Sequence, residues 1–176
     1  MNKEIKIRPL LSSDAEQYVK LHNLVWEDAY KDIFPVEVFQ DRANRTEQRI
    51  VDFAKWWDSN PQLLGYIAEV DNQMVGFMNA TLVSNYEHFQ RLGYAELMGI
   101  YIHPDYQSKG LGNKFKQLFI DWAKQNGATK FVIGVLKDNT HARAVYEKWG
   151  GKLDKYTQPF IKFDVAYDEY FYTYDL

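Results

Sequence analysis

Two glycines that follow a predicted strand could form a ligand-binding turn. They lie in the segment Gln107-Ser-Lys-Gly-Leu-Gly-Asn113, and the apolar spacing from about Leu111 to Gln125 predicts that a helix begins here. Glycine permits a tight turn and a close backbone approach, and unpaired N–H groups at a helix start bind anions such as a pyrophosphate. The segment lacks the Gly-Lys-Ser/Thr of a P-loop and the third glycine of a dinucleotide fingerprint. Taken alone, it indicates either an anion site or a purely structural turn.

A second segment, from Asn139 to Gly151, combines polar residues with helical spacing. Asn139 and Tyr146 are seven residues apart, about two turns, so they lie on the same side of the predicted helix. Two interpretations are open from these residues alone. Either both side chains face a ligand, or Asn139 caps the helix and Tyr146 is a half-buried core residue.

Together and in this order, the two segments resemble the GCN5-related N-acetyltransferase (GNAT) superfamily. Gln107–Gly112 matches its Q/R-x-x-G-x-G/A motif, and Asn139–Lys152 matches N-x-x-A-x-x-x-Y-E-K-x-G-G/F-K. The match runs from about Tyr94 to Lys152, with weaker similarity in IRPLLSSDAEQ near the start and in AEVDNQMVGF. The resemblance implies an acyltransferase that moves an acetyl group from acetyl-CoA directly to a primary amine in a ternary complex. A non-catalytic acetyl-CoA-binding or sensing module is the alternative.

The resemblance also implies where the cofactor binds. Acetyl-CoA would lie between two strands that splay apart, here Glu96–Ile102 and Phe131–Val135, and pair with the backbone of Ile100–Ile102. Asn139 would hydrogen-bond the pantetheine arm, and the N–H groups of the glycine loop would hold the pyrophosphate. The cofactor residues expected from the resemblance are Ile100, Tyr101, Ile102, Gln107, Ser108, Lys109, Gly110, Leu111, Gly112, Asn113, Asn139 and Tyr146.

Acetylation of an amine needs a proton acceptor, because an alkylammonium with a pKa near ~10.4 is charged at pH 7. Glu96 is the expected general base, since its strand is similar to the one that carries the base glutamate in the histone-acetylating branch. Burial would raise its pKa; alternatively, Glu96 only begins a strand and faces solvent. The resemblance makes Tyr146 the general acid for the leaving thiolate, or its hydrogen-bond donor. The chain has no cysteine, which excludes an acetyl-cysteine intermediate.

Aromatic and acidic residues near both ends of the chain are the candidates for the acceptor site. Such a mixture suits a cationic amine through cation–π contacts and ion pairs, which favours a small amine, a polyamine or a peptide amine. The alternative is that these aromatics are core residues and the acids are solvated. The candidates are Trp26 and Tyr30, followed by Phe34, Tyr86, Tyr156, Phe160, Tyr167 and Tyr170, with Glu27, Asp28, Asp164, Asp168 and Glu169.

The elements that must position these residues follow from the apolar periodicity. A strand near Ile7 precedes a helix that ends before Phe34-Pro35, and a second helix is predicted from Phe39 to Trp57. A hairpin with a turn at Asp71-Asn72-Gln73 comes next. Further strands are predicted at Tyr94–Ile102, Phe131–Leu136, Lys152–Tyr156 and Val165–Tyr174, and further helices at Leu111–Gln125 and Asn139–Trp149.

These elements predict one α/β (α+β) domain over residues 1–176. Its sheet would be twisted and mostly antiparallel, with about seven strands, helices on both faces and, by the resemblance, a splayed central strand pair. A net charge of −3 argues against non-specific nucleic-acid binding, and no apolar run approaches the ~18 residues of a membrane span. We therefore expect a cytoplasmic protein without a membrane or nucleic-acid partner, for which the resemblance allows a homodimer. The four histidines are not spaced as metal-ligand pairs, so no metal is expected.

Overall fold

The computed structural model describes residues 4–176, which form six helices and seven strands. The strands are β1 (Lys6–Pro9), β2 (Leu64–Val70), β3 (Gln73–Thr81), β4 (Ala95–Ile102), β5 (Lys130–Leu136), β6 (Lys152–Lys162) and β7 (Val165–Asp175). The helices are α1 (Ala15–Tyr30), α2 (Val36–Asn44), α3 (Thr46–Asp58), α4 (Glu87–Arg91), α5 (Leu111–Gln125) and α6 (Thr140–Lys148). Within these residues, no helix has both the length and the apolar character needed to cross a membrane.

One sheet contains all seven strands, in the order β1-β2-β3-β4-β5-β7-β6. Its neighbouring strands are antiparallel except for β4 and β5, which are parallel. The apolar sides of α1 and α3 pack on one face, around Val19 and Phe77, and α5 packs on the other, around Phe115 and Phe119. The predicted fold class is confirmed, because alternating side chains of one sheet supply apolar surfaces to helices on both of its faces.

The segment after Pro35 differs from the prediction of one helix between Phe39 and Trp57. Two helices form instead, because the backbone of Arg45 leaves the helical region at φ −98° and ψ 14°. Neither glycine nor proline marks this break, so it has no local signal. The polar stretch before β4 also contains the short helix α4, whose Phe89 is fully buried.

The central strands β4 and β5 separate soon after they meet. They pair only at Ala95↔Phe131 and Glu96↔Val132, although each strand continues for several residues. This geometry confirms the predicted splayed pair. The open gap lies at the carboxyl ends of both strands.

A β-bulge in β4 changes which side chains face each side of the sheet. Leu97 is opposite Ala80 and Gly99 is opposite Asn79, so Met98 is the extra residue. The alternation of side chains therefore restarts within the strand. Beyond the bulge, Ile100 and Ile102 pack on the α5 side like Leu97, whereas Tyr101 packs on the α1 side.

Candidate active site

The gap between β4 and β5 leaves one edge of β4 without a partner strand. At the end of β4, the N–H of His103 donates to the C=O of Val75 on β3 at 2.9 Å. Alternate residues of a strand direct their N–H and C=O groups to opposite neighbours. The backbone of Ile100 and Ile102 therefore faces the gap, as the resemblance implied.

Tyr101 departs from the expectation that its backbone contacts the cofactor. Its position between Ile100 and Ile102 directs its N–H and C=O groups to β3, where it lies opposite Phe77. The Tyr101 ring lies 4.7 Å from that of His22 and 5.2 Å from that of Phe77, measured between centroids. Tyr101 thus presents its side chain to the α1 side of the sheet rather than its backbone to the gap.

The glycine loop forms an open turn at the N-terminus of α5. Ser108 and Gly110 have φ values of 57° and 81°, which direct nearby N–H groups outward. Within the described residues, no N–H from Ser108 to Asn113 donates to a protein acceptor. A Cβ added to Gly110 would meet no atom within 4 Å, so the space in front of the loop is free. Unpaired N–H groups at the start of a helix are suited to an anion such as a pyrophosphate.

Loop side chains hold the turn in place instead of extending into its open side. Gln107 Nε2 donates to the C=O of Ile102 at 3.0 Å, and Trp149 Nε1 donates to Asn113 Oδ1 at 2.8 Å. Leu111 is buried in the core. These contacts fasten the loop to β4 and to the end of α6, so its backbone N–H groups are the part left for a ligand.

On the opposite side of the gap, β5 leads to Asn139 at the start of α6. Asn139 Oδ1 accepts from the N–H of Ala142 at 3.1 Å, so this residue does cap the helix. Burial raises the pKa of Tyr30, and a hydrogen bond with the Asn139 side chain opposes that rise. Asn139 thus connects α6 to α1 beside the gap.

Tyr146 is partly buried, two turns along α6. Its ring packs near those of Trp149 and Tyr172, at centroid distances of 5.7 and 5.9 Å. Burial, followed by nearby Tyr30, raises the pKa of Tyr146 well above 10, so its hydroxyl is protonated at neutral pH. Burial, followed by Tyr30 and Tyr146, also raises the pKa of Tyr101.

Glu96 lies at the start of β4 and is only 5% exposed. Its Oε2 accepts from the N–H of Asn85 at 2.7 Å, from Asn85 Nδ2 at 3.2 Å and from Ser84 Oγ at 3.1 Å. Burial raises the pKa of Glu96 against the effect of these hydrogen bonds, and Glu169 adds to the rise. The alternative in which Glu96 faces solvent is wrong.

A second buried glutamate lies on the same side of the sheet. Glu169 Oε1 accepts from the Tyr86 hydroxyl at 2.9 Å, and its Oε2 accepts from Gln158 Nε2 at 2.9 Å. Burial raises the pKa of Glu169 as well. A Cβ at Gly134 of β5 would lie 2.5 Å from the Tyr86 oxygen, so this glycine makes room for the pair.

The residues expected at the acceptor site are not brought into one pocket. Trp26 and Phe34 stack at 5.0 Å between ring centroids in a buried cluster with Leu136, and Tyr30 lies at its edge. Tyr156 stacks on His88, away from that cluster. Four of the five acids, namely Glu27, Asp28, Asp164 and Asp168, are exposed. Within residues 4–176, no three His, Cys, Asp or Glu side chains are grouped to hold a metal ion.

Instead, a cleft of about 430 Å³ opens beside the bulge of β4, on the α1 side of the sheet. Its walls come from α1, α3, β3 and β4. They comprise Tyr18, Val19, His22, Arg49, Asp52, Phe53, Trp56, Asn79, Met98, Gly99 and Tyr101. Sequence reasoning missed most of this lining. The available signal was Arg49, a charged residue one helical turn before the apolar Phe53 and so on the inward side of α3.

Comparison with known proteins places this site in a family context. Residues 19–151 match the acetyltransferase (GNAT) family model. An L-methionine sulfoximine/L-methionine sulfone acetyltransferase of Salmonella typhimurium is 27% identical over 116 residues, which cover 64% of this chain and 63% of that protein. The chain thus spans less than two thirds of that relative. A spermidine N(1)-acetyltransferase of Thermoplasma acidophilum is 23% identical over 152 residues, 85% of this chain and 89% of that protein.

The fold is similar to that of PaiA N-acetyltransferase from Thermoplasma acidophilum, crystallised in complex with coenzyme A. The TM-score is 0.71 at 21% identity, with 94% of this chain and 98% of that chain covered. The predicted family is confirmed by the family model, which covers well over half of the residues, including the first motif and all but the last residue of the second. The chain belongs to the acetyltransferase (GNAT) family.

Proposed function

We propose that this chain transfers an acetyl group from acetyl-CoA directly to a primary amine. The observation that carries the proposal is the gap between β4 and β5, with the open N–H groups of Ser108–Asn113 at its mouth. The backbone of Ile100 and Ile102 would hold the pantetheine arm, and the loop N–H groups would hold the pyrophosphate. Acetyl-CoA, when bound, supplies an activated thioester. The coenzyme A in the crystal of PaiA supports this choice of cofactor.

Glu96 is the proposed acceptor of the ammonium proton. Its Oε1 makes no hydrogen bond to the described residues, whereas its Oε2 is held by Ser84 and Asn85. A raised pKa lies closer to neutral pH and makes the carboxylate a stronger base. Glu96 would take the proton through an intervening water, which leaves a neutral amine as the nucleophile.

Tyr146 is the proposed proton donor. When the amine nitrogen bonds to the acyl carbon and the carbon–sulfur bond breaks, the negative charge moves to the leaving sulfur. The protonated Tyr146 hydroxyl would donate a hydrogen bond or its proton to that sulfur. Because its raised pKa makes full proton transfer unfavourable, hydrogen bonding is the larger part of this role.

The cleft beside the bulge is the proposed acceptor site. It is lined by Met98 and Gly99, which directly precede the Ile100 edge of the gap. An amine in the cleft would approach from the α1 side, while α5 and its loop lie on the other side of the sheet. Tyr30 remains a proposed contact because it borders the gap at Asn139. Trp26 lies in the buried cluster with Phe34 and does not line the cleft.

The test is release of free thiol from acetyl-CoA with a panel of amines, amino acids and polyamines. We expect turnover, and we expect Tyr146→Phe to lower kcat by roughly 10²-fold with little change in the KM for acetyl-CoA, because only the proton donor is removed. Tyr174→Phe is the matched control. The Tyr174 hydroxyl donates to the C=O of Tyr146 at 2.9 Å and has no proposed chemical role.

One result would contradict the proposed function, and another would contradict only the role of Tyr146. Tight coenzyme A binding without turnover by any acceptor would favour the alternative, a non-catalytic sensing module. An equal kcat for Tyr146→Phe and wild type would remove Tyr146 from the mechanism while leaving the activity in place.

A further inference from the structure

We propose that the acceptor carries a carboxylate in addition to its amine, and that Arg49 binds this carboxylate in the cleft while the neighbouring charge of Arg42 adds to the local positive potential. The inference rests on the proposed function and narrows its acceptor to an α-amino acid. It starts from two arginines whose charges are not balanced within the described part of the chain.

Arg42 of α2 is the less accessible of the two. Its Nε and Nη2 atoms are buried without a hydrogen-bond partner in the described residues, and its guanidinium lies 4.1 Å from the ring centroid of Trp26. Burial, followed by the neighbouring charge of Arg49, lowers the pKa of Arg42 to about 10. A buried guanidinium is normally paired, because an unpaired charge there is costly. Arg42 therefore adds a positive charge beside Arg49 that no carboxylate of the described residues pairs with.

Arg49 of α3 lines the cleft directly. One of its Nη atoms donates to Asn23 Oδ1, a neutral acceptor. No ion pair between Arg49 and a carboxylate is found among residues 4–176. A guanidinium has five donors in a planar fork that matches a carboxylate, so most of its binding capacity remains for a ligand.

The surroundings keep this part of the cleft positive. Burial lowers the pKa of His22, and both arginines lower it further. Its Nε2 atom also has no hydrogen-bond partner in the described residues. Two acids lie nearby. Asp41 pairs with Arg45, whereas Asp52 lines the cleft and accepts only from the neutral Gln48 side chain, at 2.8 Å, so the two arginine charges face a single carboxylate charge. This local positive charge stands out in a chain with a net charge of −3.

The shape and chemistry of the cleft narrow the acceptor further. A volume of about 430 Å³ suits a small molecule. Apolar and aromatic walls at Phe53, Trp56 and Met98 suit an uncharged side chain. The amine must reach the bulge of β4, and the carboxylate would meet Arg49. A polyamine would instead bring a second ammonium toward the arginines, which repel it.

The experiment compares acceptors that differ only by the carboxylate. Thiol release is measured with L-phenylalanine against phenethylamine, and with L-methionine against 3-(methylthio)propylamine. We expect each amino acid to have the larger kcat/KM, by roughly 10-fold or more, because it adds a charge-assisted hydrogen-bonded pair. In Arg49→Gln this preference should fall by roughly 10- to 100-fold, and Arg49→Lys should lie between the two.

Arg91→Gln is the matched control. Arg91 is exposed on α4, pairs with Glu87 and does not line the cleft, so this variant should keep the preference of the wild type. A preference for the decarboxylated amines or for spermidine, or a ratio that Arg49→Gln leaves unchanged, would overturn the inference while the proposed function stands.

A binding measurement covers the case in which no acceptor is turned over, which would contradict the proposed function itself. Calorimetry in the presence of coenzyme A then compares N-acetyl-L-phenylalanine with N-acetylphenethylamine. The carboxylate site predicts tighter binding of the acid, weakened in Arg49→Gln. Equal binding of the two compounds would overturn the inference.

Discussion

Glu96 shows how a single residue acquires its chemistry from its neighbours. The resemblance identified this glutamate as a base, but its ionisation depends on groups distant in the sequence. Ser84 and Asn85 favour the charged form by hydrogen bonding, whereas burial and the nearby charge of Glu169 disfavour it. The balance raises the pKa of Glu96.

The pH profile of kcat/KM tests this role. As the proposed base, Glu96 acts only when ionised, so we expect its pKa to contribute to the acid limb. Glu96→Gln should move the limb to higher pH because the amine must then lose its proton unaided. Glu169→Gln is the matched control, and it should shift the pH of the acid limb in the opposite direction. Removal of its charge lowers the pKa of Glu96 and should move the limb to lower pH. An unaltered limb in Glu96→Gln would point to another base.

At the scale of elements, the loop before α5 depends on its backbone rather than on its side chains. Ser108 and Gly110 both adopt positive φ, and the N–H groups between Ser108 and Asn113 are left without protein acceptors among residues 4–176. Side-chain contacts at Gln107 and Asn113 anchor the two ends of the loop. A change in the loop backbone should therefore affect anion binding directly.

Gly110→Ala tests the loop, with Gly93→Ala as a matched control. Both glycines have positive φ, 81° and 74°, and a Cβ at either would meet nothing within 4 Å. Each substitution should cost about 1 kcal/mol of unfolding free energy from backbone strain. Only Gly110→Ala should weaken coenzyme A binding, by roughly 10-fold, because relief of the strain turns an N–H away from the pyrophosphate. Equal dissociation constants for the two variants, measured by calorimetry, would contradict this assignment.

The bulge in β4 is an element that the sequence pattern did not reveal. Residues Ala95 to Ile102 are nearly all apolar, so period-two alternation cannot show an inserted residue. The position of Met98 became visible only from the register with β3. Because of this extra residue, the side chain of Tyr101 faces the cleft, while the backbone groups of Ile100 and Ile102 face the gap.

At the scale of the whole molecule, a partly buried charge network links β1 to its neighbours in the fold. The carboxylate of Asp14 accepts two hydrogen bonds from Arg8 at 2.8 Å and one from the N–H of Leu11 at 2.9 Å. Arg8 Nε also donates to Glu69 on β2 at 3.1 Å. The network thereby joins β1, the turn before α1 and β2.

Asp14→Asn should destabilise the protein in a pH-dependent way. The hydrogen bond from Arg8 lowers the pKa of Asp14 below the usual 3.8, so its stabilisation is present above that value and is lost as pH falls through the lowered pKa. We expect a loss of about 1–3 kcal/mol at pH 7 and a smaller difference from wild type at pH 3, measured by urea unfolding. Glu16→Gln, which breaks an exposed pair with Lys20, should leave the midpoint unchanged. A loss of equal size at both pH values would exclude the ion pair as its cause.

Local features of the sequence determined much of this protein. Most helices and strands followed from short-range spacing, because turns and periodicity depend on residues close together in the chain. The family followed from the resemblance of the two motifs that contain the glycine loop and Tyr146. The break at Arg45 did not follow from such spacing, since the polar stretch from Gln40 to Arg49 contains no glycine or proline that would mark it.

The cleft proposed as the acceptor site depends on tertiary structure alone. His22, Arg49 and Gly99 are far apart in sequence and meet because α1, α3 and the bulge of β4 lie on one side of the sheet. Which groups share a cleft, and which charges remain unbalanced there, depends on strand register and helix packing. Those are long-range properties that the sequence pattern does not show. The acids that suggested a cationic acceptor are mostly exposed, and two arginines that the pattern did not single out lie beside the proposed site.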